Sequence, residues 1–225
     1  MISIAIDGPG GAGKSSIAKE LSAQLGFIYV DTGALYRSIG LYMLNNGVDL
    51  EDKAAIAEKL NDINVELKYK DGQQRVILCD TDVSEEIRKP EVSMAASKVS
   101  ALPQVRSFLL DLQRDMARKN NVIMDGRDIG TVVLPDAQIK LFLTASPEER
   151  AMRRYRELTA KGENVEYETV LAELKQRDYQ DSHREIAPLK PADDADVIDT
   201  TGNNLQQSVE MILNHIKPKL SKLEV

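Results

Sequence analysis

The feature that most constrains the fold is a glycine-rich segment close to the amino terminus of the chain. It spans residues 8–15 and reads Gly8-Pro9-Gly10-Gly11-Ala12-Gly13-Lys14-Ser15. The pattern G-x-x-x-x-G-K-[S/T] is typical of a phosphate-binding loop, in which backbone N–H groups surround a nucleotide phosphate. The apolar run 2–6 before it predicts a strand, and residues 14–25 after it carry apolar side chains at helical spacing. A strand, such a loop and a helix in this order predict a protein that binds a nucleoside triphosphate.

The residues of this loop have separate expected roles. Lys14 is expected to reach the β- and γ-phosphate oxygens, and the Ser15 hydroxyl is expected to bind Mg²⁺. The positive end of the helix dipole would point at the phosphates. We therefore predict nucleotide contacts from Gly8, Pro9, Gly10, Gly11, Ala12, Gly13, Lys14, Ser15 and Ser16.

Composition excludes several classes of protein. The chain has 225 residues, 42% of them apolar, which is enough for a substantial core. Its net charge of −7 argues against a general nucleic-acid binder, which normally has a basic face. Cys79 is the only cysteine, so an internal disulfide is excluded, and we expect a small buried residue in a strand. We find no leader pattern and no long apolar stretch, and we expect a cytoplasmic protein that does not enter a membrane.

Strand and helix patterns alternate along most of the chain. Apolar runs that predict buried parallel strands lie at 2–6, 27–30, 122–124, 139–143 and 197–198. Helical patterns lie at 14–25, 34–45, 104–119, 147–160, 166–182 and 203–217. This alternation predicts an α/β protein with three layers and a central parallel sheet. Ligands bind such sheets outside the carboxyl ends of the strands.

Polar residues follow four of these strands, where that rule places a ligand. They are Asp7-Gly8, Asp31-Thr32-Gly33, Asp125-Gly126-Arg127-Asp128 and Thr144-Ala145-Ser146. An acidic residue that ends a strand beside a phosphate loop commonly orients the shell of a Mg²⁺ ion, and Asp125 is placed for that role. The alternative for residues 125–128 is a turn that only satisfies its own salt bridges.

Residues 60–84 break the alternation. They predict short strands at 65–69, 75–79 and 81–83, with the turn Lys70-Asp71-Gly72-Gln73 between the first two. Helices are expected on either side, at 52–61 and 90–100. The pattern indicates a small antiparallel sheet inserted into the α/β order.

Arginines concentrate in the helix that begins near Pro147. Arg150, Arg153 and Arg154 share one helix face by their spacing. Such a run is usually a solvated face, and a Glu149–Arg153 pair would support that interpretation. The alternative is a lid that neutralises charge on a transferring phosphoryl group and excludes water.

Two further sets of residues have both a structural and a functional interpretation. Thr32 could simply cap the following helix, and Arg37 could reach a phosphate near that helix start. Arg177, Asp181 and Arg184 share a face if their helix continues to residue 184. They predict either an ion-pair ladder or two arginines, held by a carboxylate, that receive a phosphate.

An ordered set of motifs resembles the bacterial cytidylate kinases, a family of nucleoside-monophosphate kinases, over essentially the whole chain. The motifs are Ile6-Asp7-Gly8-Pro9, Asp31-Thr32-Gly33-Ala34-Leu35-Tyr36-Arg37, Asp125-Gly126-Arg127-Asp128-Ile129-Gly130-Thr131, Ser146-Pro147-Glu148-Glu149-Arg150 and Arg177-Asp178. The resemblance implies a single domain with a P-loop NTPase-type fold. Its core would comprise residues 1–32, 104–149 and 164–225, its monophosphate-binding region residues 33–103, and its helical lid residues 150–163.

The resemblance also implies substrates and residue roles. The substrates would be ATP and CMP or dCMP, with Mg²⁺, and the protein would be a monomer. Lys14, Arg127 and Arg153 would be catalytic. Residues implied to contact CMP are Arg37, Arg127, Arg177 and Arg184 for the phosphate, Ser97, Arg106 and Asp128 for the cytosine, Asp181 for the ribose, and Thr32.

Three other functions remain open at this point. One is a kinase for another nucleotide or a small metabolite. A regulatory GTP-binding switch is a second, although the sequence has no Asn-Lys-x-Asp motif for guanine. The third is an ATP-dependent assembly module, which would leave the arginine-rich strand ends without a role.

Overall fold

The computed structural model describes residues 1–70 and 73–223. It divides the chain into two compact units. The first comprises residues 1–29 and 119–225, and the second comprises residues 30–118. The second unit is therefore continuous in sequence, whereas the first is assembled from both ends of the chain.

The elements follow the predicted order closely. The strands are β1 (Ser3–Asp7), β2 (Ile28–Asp31), β3 (Val65–Lys70), β4 (Gln73–Leu78), β5 (Thr81–Asp82), β6 (Val122–Asp125), β7 (Ile139–Thr144) and β8 (Asp196–Asp199). The helices are α1 (Lys14–Leu25), α2 (Thr32–Asn45), α3 (Lys53–Lys59), α4 (Pro90–Val99), α5 (Pro103–Lys119), α6 (Pro147–Ala160), α7 (Tyr167–His183) and α8 (Leu205–Leu220). Among residues 1–70 and 73–223, no helix combines the length and apolar character needed to cross a membrane.

A five-stranded sheet in the order β2-β6-β1-β7-β8 confirms the predicted central parallel sheet. Strand β1 lies at its centre and pairs in parallel with β6 and β7. All five residues of β1 are buried, which explains why an unbroken apolar run forms this strand. Its isoleucines belong to a core that includes Ile17 of α1 and Ile212 of α8.

The last strand of this sheet differs from the prediction. Residues 197–198 were predicted as a buried strand, but β8 is an edge strand and Val197 is 60% exposed. An apolar pair of residues cannot distinguish an edge strand from a central one, because both accept β-branched side chains.

The second unit contains the predicted antiparallel insert, with strand order β3-β4-β5. The predicted turn 70–73 includes residues 71–72, which lie outside the described residues. Helices α2 and α4 pack closely in this unit, and a Cβ atom at Gly40 would lie 2.9 Å from the Ala96 nitrogen. Leu35, Ile39 and other buried side chains form a separate core here.

The prediction for Cys79 was wrong. Strand β4 ends at Leu78, and Cys79 is exposed with a φ of 46°. It begins a turn between β4 and β5 that the following Asp80, with a φ of 67°, continues. The strand pattern was extended one residue too far, because a turn without glycine or proline gives little warning in a sequence.

Candidate active site

The phosphate-binding loop connects β1 to α1 and is fixed by close backbone packing. Gly8 has a φ of 144°, and a Cβ atom there would lie only 2.0 Å from the Leu143 carbonyl oxygen of β7. No larger residue fits this position. Gly13 caps α1 and brings no side chain, so the amide groups of the first helical turn remain available to an anion.

Lys14 lies in this loop and is only 6% exposed. Its Nζ donates a hydrogen bond to the Pro9 carbonyl oxygen at 2.8 Å, which folds the side chain back over the loop. Burial lowers the pKa of Lys14 well below its usual value, and the positive charge of Arg127 lowers it further. A bound phosphate would favour the charged ammonium, because it supplies the opposite charge.

Ser15 and Asp125 meet, as the strand-end argument predicted. The Ser15 hydroxyl donates to Asp125 Oδ2 at 2.7 Å, and the Tyr29 hydroxyl donates to Oδ1 at 3.0 Å. A hydroxyl and a carboxylate are hard oxygen ligands that suit Mg²⁺. The described residues hold no group of three or more His, Cys, Asp or Glu side chains able to bind a metal. One hydroxyl and one carboxylate fit an ion that arrives with nucleotide phosphates and keeps several waters.

Asp7 ends β1 and organises the turn that follows β6. Its two carboxylate oxygens accept the backbone N–H groups of Ile129 and Gly130, each at 2.7 Å. Burial raises the pKa of Asp7 to about 6, and the negative charge of Asp128 adds to the rise, although the two N–H groups oppose it. Sequence reasoning gave Asp7 no specific role, although Asp7 ends a predicted strand and belongs to the motif Ile6-Asp7-Gly8-Pro9.

Two ion pairs join this turn to the region around the end of α7. Arg127 Nε donates to Asp181 Oδ2 at 3.0 Å, and Arg184 Nη2 lies 3.6 Å from Asp128 Oδ1. All four side chains are largely buried. Helix α7 ends at His183, so the condition under which Arg184 would share a helix face with Arg177 and Asp181 is not met. Each arginine instead has a carboxylate of its own.

Arg127 lies beside the phosphate-binding loop. Its Nη2 lies 3.6 Å from the position that a Cβ atom would take at Gly10. Arg177 is half-buried on α7, and its positive charge also contributes to the lowered pKa of Lys14. The first unit therefore brings Arg127, Asp128, Asp181 and Arg184 together and adds the positive charges of Arg127 and Arg177 to that of Lys14.

The three arginines predicted on one face of α6 separate into different environments. Arg153 donates to the Glu149 carboxylate and to the carbonyl oxygens of Thr200 and Asn203 at 3.2 and 3.3 Å. One of its terminal nitrogens lies 3.7 Å from the Cβ position at Gly13. Arg154 pairs with Glu157 at an exposed site, whereas Arg150 is buried. The Glu149–Arg153 pair is confirmed, but the shared face is not uniformly solvated.

In the second unit, Asp31 is the centre of a cluster of charged side chains. Its Oδ1 accepts the Ala34 N–H at 2.9 Å, so Asp31 caps α2, and the interpretation of Thr32 as the cap is excluded. Its Oδ2 accepts Arg37 at 2.9 Å and Arg88 at 3.0 Å. Burial acts to raise the pKa of Asp31, but the two guanidinium groups outweigh it and the pKa lies below its usual value. No sequence pattern had pointed to Arg88.

The other predicted residues of this unit lie on three of its helices. Thr32 is buried in the first turn of α2, and Ser97 is half-buried on α4. Arg106, on α5, is also buried and donates to the Ser100 carbonyl oxygen at 3.2 Å. Its guanidinium lies 5.8 Å from the ring centre of Tyr36, within the range of a cation–π contact.

Curated sequences include close relatives of this chain. A "Cytidylate kinase" from Caldicellulosiruptor bescii is 51% identical over 212 residues, which cover 94% of each chain. Another from Caldanaerobacter subterraneus subsp. tengcongensis is 53% identical over 216 residues, covering 96% of this chain and 95% of that one.

A solved structure and a family model complete the comparison. The crystal structure of a gluconokinase from Sinorhizobium meliloti 1021 covers 99% of this chain and 95% of its own, with a TM-score of 0.50. At 14% identity this likeness shows the fold alone. The family model described as "Cytidylate kinase" matches residues 4–218. With that match and relatives at about half identity, the chain belongs to the cytidylate kinase family.

Proposed function

We propose that this protein transfers the γ-phosphoryl group of ATP to CMP or dCMP, giving ADP and CDP or dCDP. Family membership supports this reaction, since the relatives described above are named as cytidylate kinases. One structural observation carries the proposal furthest. Arg127 lies against the phosphate-binding loop and is fixed there by the buried Asp181.

The reaction needs no strong general base. An oxygen of the CMP phosphate attacks the γ-phosphorus of ATP, and the bond from that phosphorus to the β–γ bridging oxygen breaks. The attacking phosphate is largely ionised at neutral pH, because its second pKa is about 6. Catalysis must then come from positioning and from neutralising charge. A site of arginines, one lysine and backbone amides fits that requirement.

The triphosphate side of the site would use the loop and the start of α1. Backbone amides of residues 8–16 would hold the β-phosphate, with Lys14 at the β- and γ-oxygens and Arg153 at the transferring group. Ser15 and Asp125 would hold Mg²⁺, which when bound neutralises phosphate charge.

The proposed CMP contacts follow the family resemblance residue by residue. In the first unit we propose Arg127, Arg177 and Arg184 for the phosphate, Asp181 for the ribose and Asp128 for the cytosine amine. In the second unit we propose Arg37 for the phosphate, Ser97 and Arg106 for the cytosine, and Thr32 as a further contact. Asp128 is only 4% exposed, so a uracil carbonyl facing it would leave a buried carboxylate opposite an acceptor.

An acceptor panel tests this proposal. ADP formation is measured with ATP and Mg²⁺ in a coupled assay, with CMP, dCMP, UMP, AMP, GMP and dTMP as acceptors. We expect rates well above ATP hydrolysis for CMP and dCMP alone. Equal rates on UMP would contradict the role of Asp128, and a preference for another acceptor would contradict the cytosine assignment. No dependence on any acceptor would favour a switch or an assembly module.

The cellular location and the oligomeric state stay predictions. We expect a cytoplasmic monomer. Cell fractionation and light scattering with size-exclusion chromatography measure the two properties directly.

A further inference from the structure

Arg150 is a buried arginine for which the reaction described above has no use. Only 3% of the residue is exposed, although it lies on α6 among arginines with much greater access to solvent. An arginine is rarely buried so completely unless its donors are all satisfied. Its partners therefore indicate what it does.

Each nitrogen of the Arg150 guanidinium has a different partner. Nε donates to the Ala145 carbonyl oxygen, just past β7, at 2.8 Å, and Nη1 donates to the Gly10 carbonyl oxygen at 2.9 Å. Nη2 lies 2.7 Å from Asp178 Oδ2 on α7. One planar group thus connects the phosphate-binding loop, the end of a sheet strand and a helix.

The loop also packs directly on the backbone of Arg150. A Cβ atom at Gly11 would lie 3.1 Å from the Arg150 Cβ and 3.2 Å from its carbonyl oxygen. Gly10 and Gly11 are therefore supported from one side by the main chain and by the guanidinium of the same residue. The amides of these glycines are among those that should face a nucleotide phosphate.

Asp178 holds Arg150 in this position. Its Oδ2 pairs with Arg150, and its buried Oδ1 has no hydrogen-bond partner within residues 1–70 and 73–223. The carboxylate therefore depends on Arg150 for its pairing, and Arg150 depends on it for a counter-charge.

We propose that Arg150 is a positioning residue, which fixes the Gly10–Gly11 segment in the shape that binds the triphosphate, and that Asp178 acts through it. The inference deepens the proposed function, because it concerns the ATP side of that site. Its main readout is nonetheless the affinity for ATP alone, which does not depend on the identity of the acceptor.

Calorimetric titration with Mg-ATP, in the absence of CMP, tests the inference in five variants. R150M and R150K should raise the Kd for ATP by about tenfold or more, because a small displacement of the loop misplaces its amides. Lysine should not rescue the site, since one ammonium cannot reproduce three donors in a fixed plane. D178N should raise the Kd less, and R150M/D178N should bind no more weakly than R150M.

The matched control is K140M. Lys140 is another buried cation of the first unit, and its ammonium pairs with Asp194 at 2.8 Å. The K140M substitution should lower the thermal midpoint of unfolding, yet it should leave the Kd for ATP within about twofold of the original value. R150M/D178N removes both charges together, which guards against misfolding from one unpaired buried charge.

Two outcomes would overturn the inference. One is a Kd for ATP within about twofold of the original in both R150K and R150M/D178N. The other is an equal loss of ATP affinity in K140M, because the effect would then be general destabilisation. If neither CMP nor dCMP proved to be an acceptor, the ATP affinities of these variants could still be measured. The two proposals can therefore be disproved independently.

Discussion

Strands β1 and β2 end in the same way, with a buried aspartate, yet the two carboxylates have opposite properties. Asp7, in the first unit, is 3% exposed and has a raised pKa. Asp31, in the second unit, is 4% exposed and has a lowered pKa. Burial pushes both pKa values upward, so burial alone does not decide the outcome.

The difference comes from the partners that each unit supplies. Asp7 accepts two backbone N–H groups and lies near the negative Asp128, whereas Asp31 receives two arginines on one oxygen. Two full positive charges outweigh burial, while two neutral dipoles do not. The comparison teaches that an aspartate at a strand end can be buried with its pKa either raised or lowered, so the strand-end position does not predict that pKa.

The largest expected effect is the loss of phosphoryl transfer when Lys14, whose charge acts on Asp7, is replaced. Lys14→Ala removes the ammonium that should neutralise the transferring phosphate, so transfer should fall by about 10³-fold or more in a coupled assay. Titration with CMP should show its affinity nearly unchanged, because Lys14 belongs to the triphosphate side. A loss of CMP affinity of similar size would mean that the CMP pocket has been placed wrongly.

Asp7→Asn tests the raised pKa directly. The folded-state pKa of about 6 exceeds the usual 3.8, so the charged carboxylate destabilises the fold. Ionisation of Asp7 should therefore lower the free energy of unfolding by up to about 3 kcal/mol as the pH rises from below 4 to above 6. Urea unfolding should give stability curves for the protein and the variant that diverge across that range. Parallel curves would show that Asp7 titrates normally.

Asp31→Asn tests the opposite case with a smaller effect. Asparagine can still cap α2, so the substitution removes mainly the charge that Arg37 and Arg88 share. We expect a loss of about 1–3 kcal/mol at pH 7, and this contribution should disappear only as the pH falls below about 4, through the lowered pKa.

The second unit offers a matched control for that experiment. Asp52 caps α3 through the N–H groups of Ala54 and Ala55, at an exposed site. Asp52→Asn should change stability by only a few tenths of a kcal/mol. If the two asparagine variants lose the same stability, the arginine pairs at Asp31 contribute nothing measurable.

Local patterns predicted the elements well because they carry their own physical causes. The buried run of β1, the glycine-rich loop and the Pro147 start of α6 were all readable from neighbouring residues. The meeting of Ser15 and Asp125 was also predictable, since the carboxyl ends of parallel strands share one edge of a sheet. Those inferences needed only spacing and the topology of an α/β sheet.

Partners distant in the sequence could not be predicted in the same way. Nothing around Arg88 indicates that it meets Asp31, and the spacing of Arg150 is the same whether it is exposed or buried. The helical pattern 166–182 gave the end of α7 to within one residue, but it could not show that Arg184, beyond that end, meets Asp128. Roles in CMP binding came from resemblance alone, and the acceptor panel remains their test.

The division of the first unit between the two ends of the chain has a consequence for synthesis on the ribosome. Ser3 of β1 pairs with Val122, and Ile4 pairs with Ile139, so the first strand made must wait for partners translated much later. The second unit is continuous and has its own core, so it is complete before those partners emerge. The nascent phosphate loop should thus be the first part of the site to be synthesised and among the last to acquire its structure.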